Sequence, residues 1–189
     1  MTMTQARAKT GKDFWVFGYG SLMWRPGFRY RERRPARLYG FHRALCVYSV
    51  RYRGTNKKPG LVLGLDRGGS CVGRVFRVAA KDADRVLAYL HKREMPRRVY
   101  DPSWLRVETS EGPIRAYVFV ARRDHSQYTG KLPVKRAVAL VLGGRGIGGT
   151  CLDYLSETVR HMDELGVADT ALHRVLAQAE KAARRAKKL

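Results

Sequence analysis

Short β-branched and aromatic runs separated by turn residues fill the first half of the chain, and apolar residues at three-to-four spacing fill the last third, so strands come first and helices last. Phe14–Phe17, Arg37–Val50, Leu61–Leu65 and Cys71–Val78 read as strands, divided by Gly54-Thr55-Asn56-Lys57-Lys58-Pro59-Gly60 and by the hairpin signal Asp66-Arg67-Gly68-Gly69. A helix then runs from Asp82, with Asp82 and Asp84 against the positive end of its dipole, Val86, Leu87 and Leu90 as its apolar stripe, and Pro96 as its stop. Arg98–Val107 and Ile114–Ala121 read as two further strands about the turn Glu111-Gly112-Pro113. Val134–Leu142, Leu152–Leu165 with Gly166 as cap, and Thr170–Ala186 opened by Asp169 read as helices. No linker or repeat separates these segments. The pattern predicts an α+β chain of one domain over 13–178, with a flexible 1–12 before it and a basic helix end over 179–189.

Composition narrows the class. With 189 residues and 44% hydrophobic content the chain is long enough to bury a real core. No apolar run approaches the ~20 residues that span a bilayer, and residues 1–12 hold no hydrophobic leader, which predicts no membrane association and a cytoplasmic location. Cys46, Cys71 and Cys151 are odd in number and widely spaced, a pattern of reduced buried thiols. There is no Cys-x-x-Cys pair, and His42, His91, His125, His161 and His173 never fall at a tight ligand spacing, so no metal site is expected.

The charge is extreme, 38 Lys+Arg against 16 Asp+Glu, or +22. Such basicity suits a nucleic-acid-binding module. The positive residues are nevertheless spread along the chain, densest at Arg25–Arg43 and Lys181–Lys188, without interleaved aromatics or a DNA-reading motif. The expectation is a basic surface that draws in an anionic small substrate and binds nucleic acid at most non-specifically.

Two segments carry candidate chemistry. The stretch Phe17-Gly18-Tyr19-Gly20-Ser21-Leu22-Met23-Trp24-Arg25-Pro26-Gly27-Phe28 follows directly on a strand, and its paired glycines allow a sharp turn with successive N–H groups free for an anion. A plain glycine-rich hairpin fits the same spacing. Ser21 is not a nucleophile elbow, because Met23 stands where that motif needs glycine. A second glycine cluster, Gly144-Arg145-Gly146-Ile147-Gly148-Gly149, matches Gly-x-Gly-x-x-Gly and raises a nucleotide-binding enzyme as an alternative, although no strand and no ribose-binding acid follow it.

Glu94 is the candidate acid/base. It lies four residues after Leu90 and seven after Leu87, so a carboxylate projects from the face that the helix buries. Apolar surroundings raise a carboxyl pKa toward the range in which it both accepts and returns a proton. A salt bridge to Arg93, Arg97 or Arg98 is the competing reading.

Phe17–Phe28 closely resembles the opening motif of the ChaC-type gamma-glutamylcyclotransferases, and Tyr89-Leu90-His91-Lys92-Arg93-Glu94 is similar to their Tyr-Leu-x-x-Arg-Glu segment. Lys58–Leu65, Gly73–Val78, Ala116–Val120, Tyr128-Thr129-Gly130, Leu152–Leu155 and Leu165–Asp169 resemble further family segments in order, whereas Met95–Tyr100 and Gly146–Cys151 depart from the pattern. The resemblance implies a small mixed β-barrel-like sheet flanked by helices. It also implies cofactor-independent conversion of glutathione to 5-oxoproline and cysteinylglycine, with Glu94 as the catalyst. Gly18, Tyr19, Gly20, Ser21, Leu22 and Met23 would bind the substrate, meeting Glu94 at one mouth.

Overall fold

Strand β1, Phe14–Gly18, is the shortest strand of a barrel and the one that closes it. The computed structural model describes residues 11–168 and 170–186. One edge of β1 pairs antiparallel with β3 (Gly60–Val78), from Phe14 opposite Val78 to Gly18 opposite Arg74. Its other edge pairs parallel with β5 (Gly112–Ala121), Trp15 opposite Ala116 and Val16 opposite Tyr117. With β2 (Glu32–Ser49) and β4 (Tyr100–Thr109) the order is β1-β3-β2-β4-β5, a closed mixed sheet. The expected mixed barrel is therefore present.

The residues fall into two compact units, 11–42 with Leu65–Arg122, and Arg43–Gly64 with the residues from Arg123 onward. In the first, alternation along the strands sends Phe17, Val75, Val107, Ala116 and Val118 to the barrel interior, all wholly buried. The opposite phase supplies Phe14, Val16, Val78, Tyr117 and Phe119, on which α1 (Ala83–Glu94) packs Ala83, Val86 and Leu90. A single 3-10 turn, Ala80–Asp82, leads into α1, with Asp84 in the first turn and His91, Lys92 and Arg93 in the last, the arrangement the helix dipole favours. Burial of one stripe thus fixes the rotation of α1 and with it the direction of its last residue, Glu94.

In the second unit α2 (Val134–Gly143), α3 (Cys151–Asp163) and α4 (Thr170–Ala186) pack on one another. Between α2 and α3 lies a minimal ribbon of β6 (Arg145–Gly146) and β7 (Gly149–Thr150). Thr150 caps α3, its hydroxyl accepting the Asp153 N–H at 3.0 Å. At the other end Gly166, at φ +66°, turns the chain out of the helix while the N–H groups of Gly166 and Val167 donate to Asp163 and Met162. Cys151 is buried, its thiol donating to the Leu61 carbonyl at 2.8 Å, and burial pushes its pKa up to about 11.

Three expectations are corrected. Asp66-Arg67-Gly68-Gly69 does not reverse the chain, since Gly60–Val78 is one continuous strand. Gly68 and Gly69 both take positive φ and only distort it there, while His42 Nδ1 donates to the Gly68 carbonyl at 3.0 Å and Arg37 reaches Ser70. β2 begins at Glu32 rather than Arg37, because exposed Arg33 and Arg37 alternate with Ala36 and Leu38 and the arginines mask the strand period. β4 starts at Tyr100, two residues late, because Arg98 at φ +53° is still part of the turn after α1. The proposed cap Asp169, most of the 1–12 segment and the end of the 179–189 tail lie outside the described residues.

Gly73 follows the last pair of the β1–β3 ladder, Gly18 opposite Arg74, and a Cβ on Gly73 would strike the Gly18 carbonyl and come within 2.9 Å of the Phe17 ring. Gly73→Ala should destabilise the fold by about 1–3 kcal/mol, and Thr150→Ala by about 1 kcal/mol through its lost cap. Urea titrations of both variants give the check. An unshifted Gly73→Ala midpoint would mean the ladder accommodates the extra carbon.

Candidate active site

The end of β1 and the end of α1 are brought together by one guanidinium. After Gly18 the chain makes a 3-10 turn over Ser21–Met23, closed by Met23 N–H to Gly20 O at 2.8 Å and Arg25 N–H to Ser21 O at 2.8 Å. The Ser21 and Leu22 N–H groups begin this turn, where helical geometry offers no internal acceptor. Gly18 admits the close approach, since a Cβ there would lie 2.9 Å from Leu22 Cβ.

The side chains of the loop divide by role. Tyr19 is buried and its hydroxyl donates to the Phe119 carbonyl at 2.9 Å, fastening the loop to β5. Leu22 and Met23 are buried, Leu22 in the cluster beneath α1. The Met23 carbonyl accepts from Arg74 at 3.1 Å. Of these residues, Ser21 presents a side-chain group toward the end of α1, where its hydroxyl accepts from Arg93 Nη2 at 2.9 Å.

Arg93 also binds the rest of the neighbourhood. Its Nη1 donates to the carbonyls of Arg25 and Pro26 and to the Tyr89 hydroxyl, the last at 3.0 Å and one helical turn back. Its Nε pairs with Glu94 Oε1 at 3.0 Å. Tyr89 is held edge-on by Phe28, and next to Phe28 Gly27 takes φ +75° with no room for a side chain, because a Cβ there would fall on the Tyr89 hydroxyl.

Glu94 therefore realises both readings of its sequence position. It forms the salt bridge to its neighbour, yet only 20% of its side chain is exposed, and burial raises its pKa against the opposing pull of Arg93. A carboxyl tuned upward in this way is suited to two-way proton transfer. Beside it, His91 Nε2 lies 2.6 Å from the Tyr117 hydroxyl with the rings stacked, and burial pushes Tyr117 up to about 12 and keeps the phenol neutral.

Arg93 enters the sequence reading only as a salt-bridge partner of Glu94 and a motif letter, and Tyr89 only as a motif letter. The i, i+4 spacing of Tyr89 and Arg93 was the available signal for that contact. Arg74 had none, because its target lies on another strand's loop.

The second glycine cluster is occupied by its own chain. Ile147 and Gly148 N–H groups donate to the carbonyls of Arg51 and Tyr52 at 3.0 and 2.9 Å, and a Cβ on Gly144 or Gly146 would strike the backbone of Arg53 or Arg51. These glycines serve close packing of two chain segments, which leaves those amides unavailable to a phosphate. Among the described residues no three His, Cys, Asp or Glu side chains converge on a point that could hold a metal ion.

Comparison with known proteins places this arrangement. The model of ChaC-like proteins matches residues 14–182. A glutathione-specific gamma-glutamylcyclotransferase of Escherichia coli strain K12 is 33% identical over 168 residues, covering 88% of this chain and 73% of the relative. Glutathione-specific gamma-glutamylcyclotransferase 1 of Homo sapiens is 31% identical over 157 residues, 80% of this chain and 71% of the relative. In fold, the crystal structure of a gamma-glutamyl cyclotransferase specific to glutathione from yeast superposes with a TM-score of 0.82 at 19% identity, over 90% of this chain and 96% of that one. Since the family match spans residues 14–182, from β1 past the Ser21 turn and Glu94 into α4, the chain belongs to the ChaC-like family.

Proposed function

We propose that this protein is a gamma-glutamylcyclotransferase acting on glutathione, with Glu94 as its acid/base and the Gly18–Met23 turn as its substrate cradle. The observation that carries the reading is a mostly buried carboxylate of raised pKa, tied through one guanidinium to a turn that offers a hydroxyl and two leading N–H groups. The activity named for the relatives in Escherichia coli and Homo sapiens is the same. Three buried cysteines, none of them in a disulfide, suit a reducing compartment, and cytoplasmic location is part of the proposal.

The chemistry follows from the groups present. In glutathione the α-amine and the γ-carbonyl belong to one glutamyl residue, so the enzyme has only to hold it folded in the near-attack conformation. Glu94 removes a proton from the α-ammonium. The freed amine forms a bond to the γ-carbon, the carbonyl oxygen takes negative charge, and the Ser21 hydroxyl with the Ser21 and Leu22 N–H groups stabilises an anionic oxygen of the substrate. Collapse breaks the bond from the γ-carbon to the cysteine nitrogen as Glu94 returns its proton to that leaving nitrogen; Glu94 then takes the second proton from the ring nitrogen, leaving the lactam N–H, and passes it to the released amine, which departs as an ammonium. The products are 5-oxoproline and cysteinylglycine, with no water consumed and no proton gained or lost.

Incubation of the purified protein with glutathione should release 5-oxoproline, and γ-glutamyl-alanine should yield far less. Absence of 5-oxoproline from glutathione would overturn the assignment.

Glu94→Gln should lower turnover by ~10²–10⁴ while leaving the fold intact. The raised pKa also sets two pH effects. Because the base form is needed, kcat/KM should climb with pH along an acid limb centred above the usual glutamate range, and Glu94→Gln should flatten that limb. Because folding favours the protonated carboxyl, the stability Glu94 contributes is complete below its unfolded pKa and lost as pH rises through the folded one. Glu94→Gln should therefore melt above the wild type at neutral pH, with the gap closing in acid. A melting temperature below wild type at pH 7 would contradict the burial cost.

The loop gives an independent check. Ser21→Ala removes one hydrogen bond, about 0.5–1.5 kcal/mol, and should raise KM roughly tenfold or less, whereas Gly20→Val should abolish measurable binding by restricting the backbone. Wild-type constants for both variants would reduce the loop to a plain turn.

A further inference from the structure

The hydrogen bonds of Arg93 are directional in a way that assigns tasks to its partners. A guanidinium has five N–H donors and no acceptor, so every group it touches must accept. Glu94 accepts at Oε1, 3.0 Å from Nε. Ser21 accepts at Oγ, 2.9 Å from Nη2, which obliges the serine hydrogen to point to some other acceptor. The carbonyls of Arg25 and Pro26 and the Tyr89 hydroxyl share the two hydrogens of Nη1, which anchors the planar group to the loop and to its own helix at once. Only 19% of the Arg93 side chain is exposed.

From this geometry we propose that Arg93 is a positioning residue: it holds Glu94 by Oε1 so that Oε2 is the oxygen that carries the proton, and it turns the Ser21 hydroxyl into a donor aimed at the substrate. The inference rests on the cyclotransferase reading and adds to it the element that couples acid/base to cradle. The charge that bears directly on Glu94 is Arg93 itself, with the Tyr89 phenol held on the same guanidinium. A lysine would keep that charge but not the planar fork that serves four residues besides Glu94.

The test uses full-length Arg93→Gln and Arg93→Lys. Arg93→Gln should lower kcat by about 10²-fold, the scale of a misplaced catalytic group, and move the acid limb of kcat/KM to higher pH because the opposing positive charge is gone. Arg93→Lys should keep the limb near its wild-type position while still losing kcat. Ser21→Ala added to Arg93→Gln should cost little more, since the hydroxyl has already lost its direction. A structural clamp alone predicts a lower melting temperature, an unmoved limb and a full additional loss from Ser21→Ala, and that result would overturn the proposal. A second readout needs no turnover. In a carboxyl 13C NMR titration, with the Glu94 signal assigned by its absence in Glu94→Gln, Arg93→Gln should move the Glu94 midpoint upward. An unchanged midpoint refutes the role of Arg93, whereas failure of the wild type to make 5-oxoproline refutes the activity instead.

Discussion

The cost of withdrawing the Glu94 carboxylate from water governs this site. Burial pushes the carboxyl of Glu94 upward, and the adjacent Arg93 charge and hydrogen bond pull it back down. One arginine at the adjacent position, itself drawn on by four other acceptors, gives an intermediate balance. The guanidinium that bears on Glu94 is the same one that holds the loop by the Ser21 hydroxyl and the Arg25 and Pro26 carbonyls. Loop geometry and proton affinity are thus joined in one group.

That balance depends on register. β1 has its two edges committed, antiparallel on one side and parallel on the other, so the point at which it releases the chain is fixed to the residue. The rotation of α1 is fixed as strictly by Val86 and Leu90 against Tyr117 and Phe119. A slip of either element by one residue would carry Ser21 or Arg93 to another face. The apolar core does no chemistry, yet it sets the distances over which the polar groups act.

Much of this was legible from sequence and some was not, for reasons that differ. β1 and β5 are apolar runs bounded by turns, and Glu94 declares itself by its phase against Leu87 and Leu90. The start of β2 was hidden because arginine carries the exposed half of its alternation. Gly68-Gly69 reads as a hairpin because two glycines permit one, but adjacent pairing to β2 favoured continuation. Arg93 was hidden most deeply, since Ser21, Pro26 and Arg25 lie 72, 67 and 68 residues away and no local pattern reports contacts at that range. The motif that resembles a known family carried the arginine as a letter without its partners.

The left-handed Gly27 restricts substitution near this site twice over, by its φ and by the Tyr89 hydroxyl. It bears no functional group and sits outside the turn proposed to bind the substrate. Because the space a side chain would take is filled by the Tyr89 hydroxyl, any other residue must displace Tyr89 from the guanidinium before it can be accommodated. In a survey of tolerated substitutions this chemically silent position would rank with the ionisable residues, and a search for active-site residues by mutational sensitivity alone would mistake steric exclusion for catalysis.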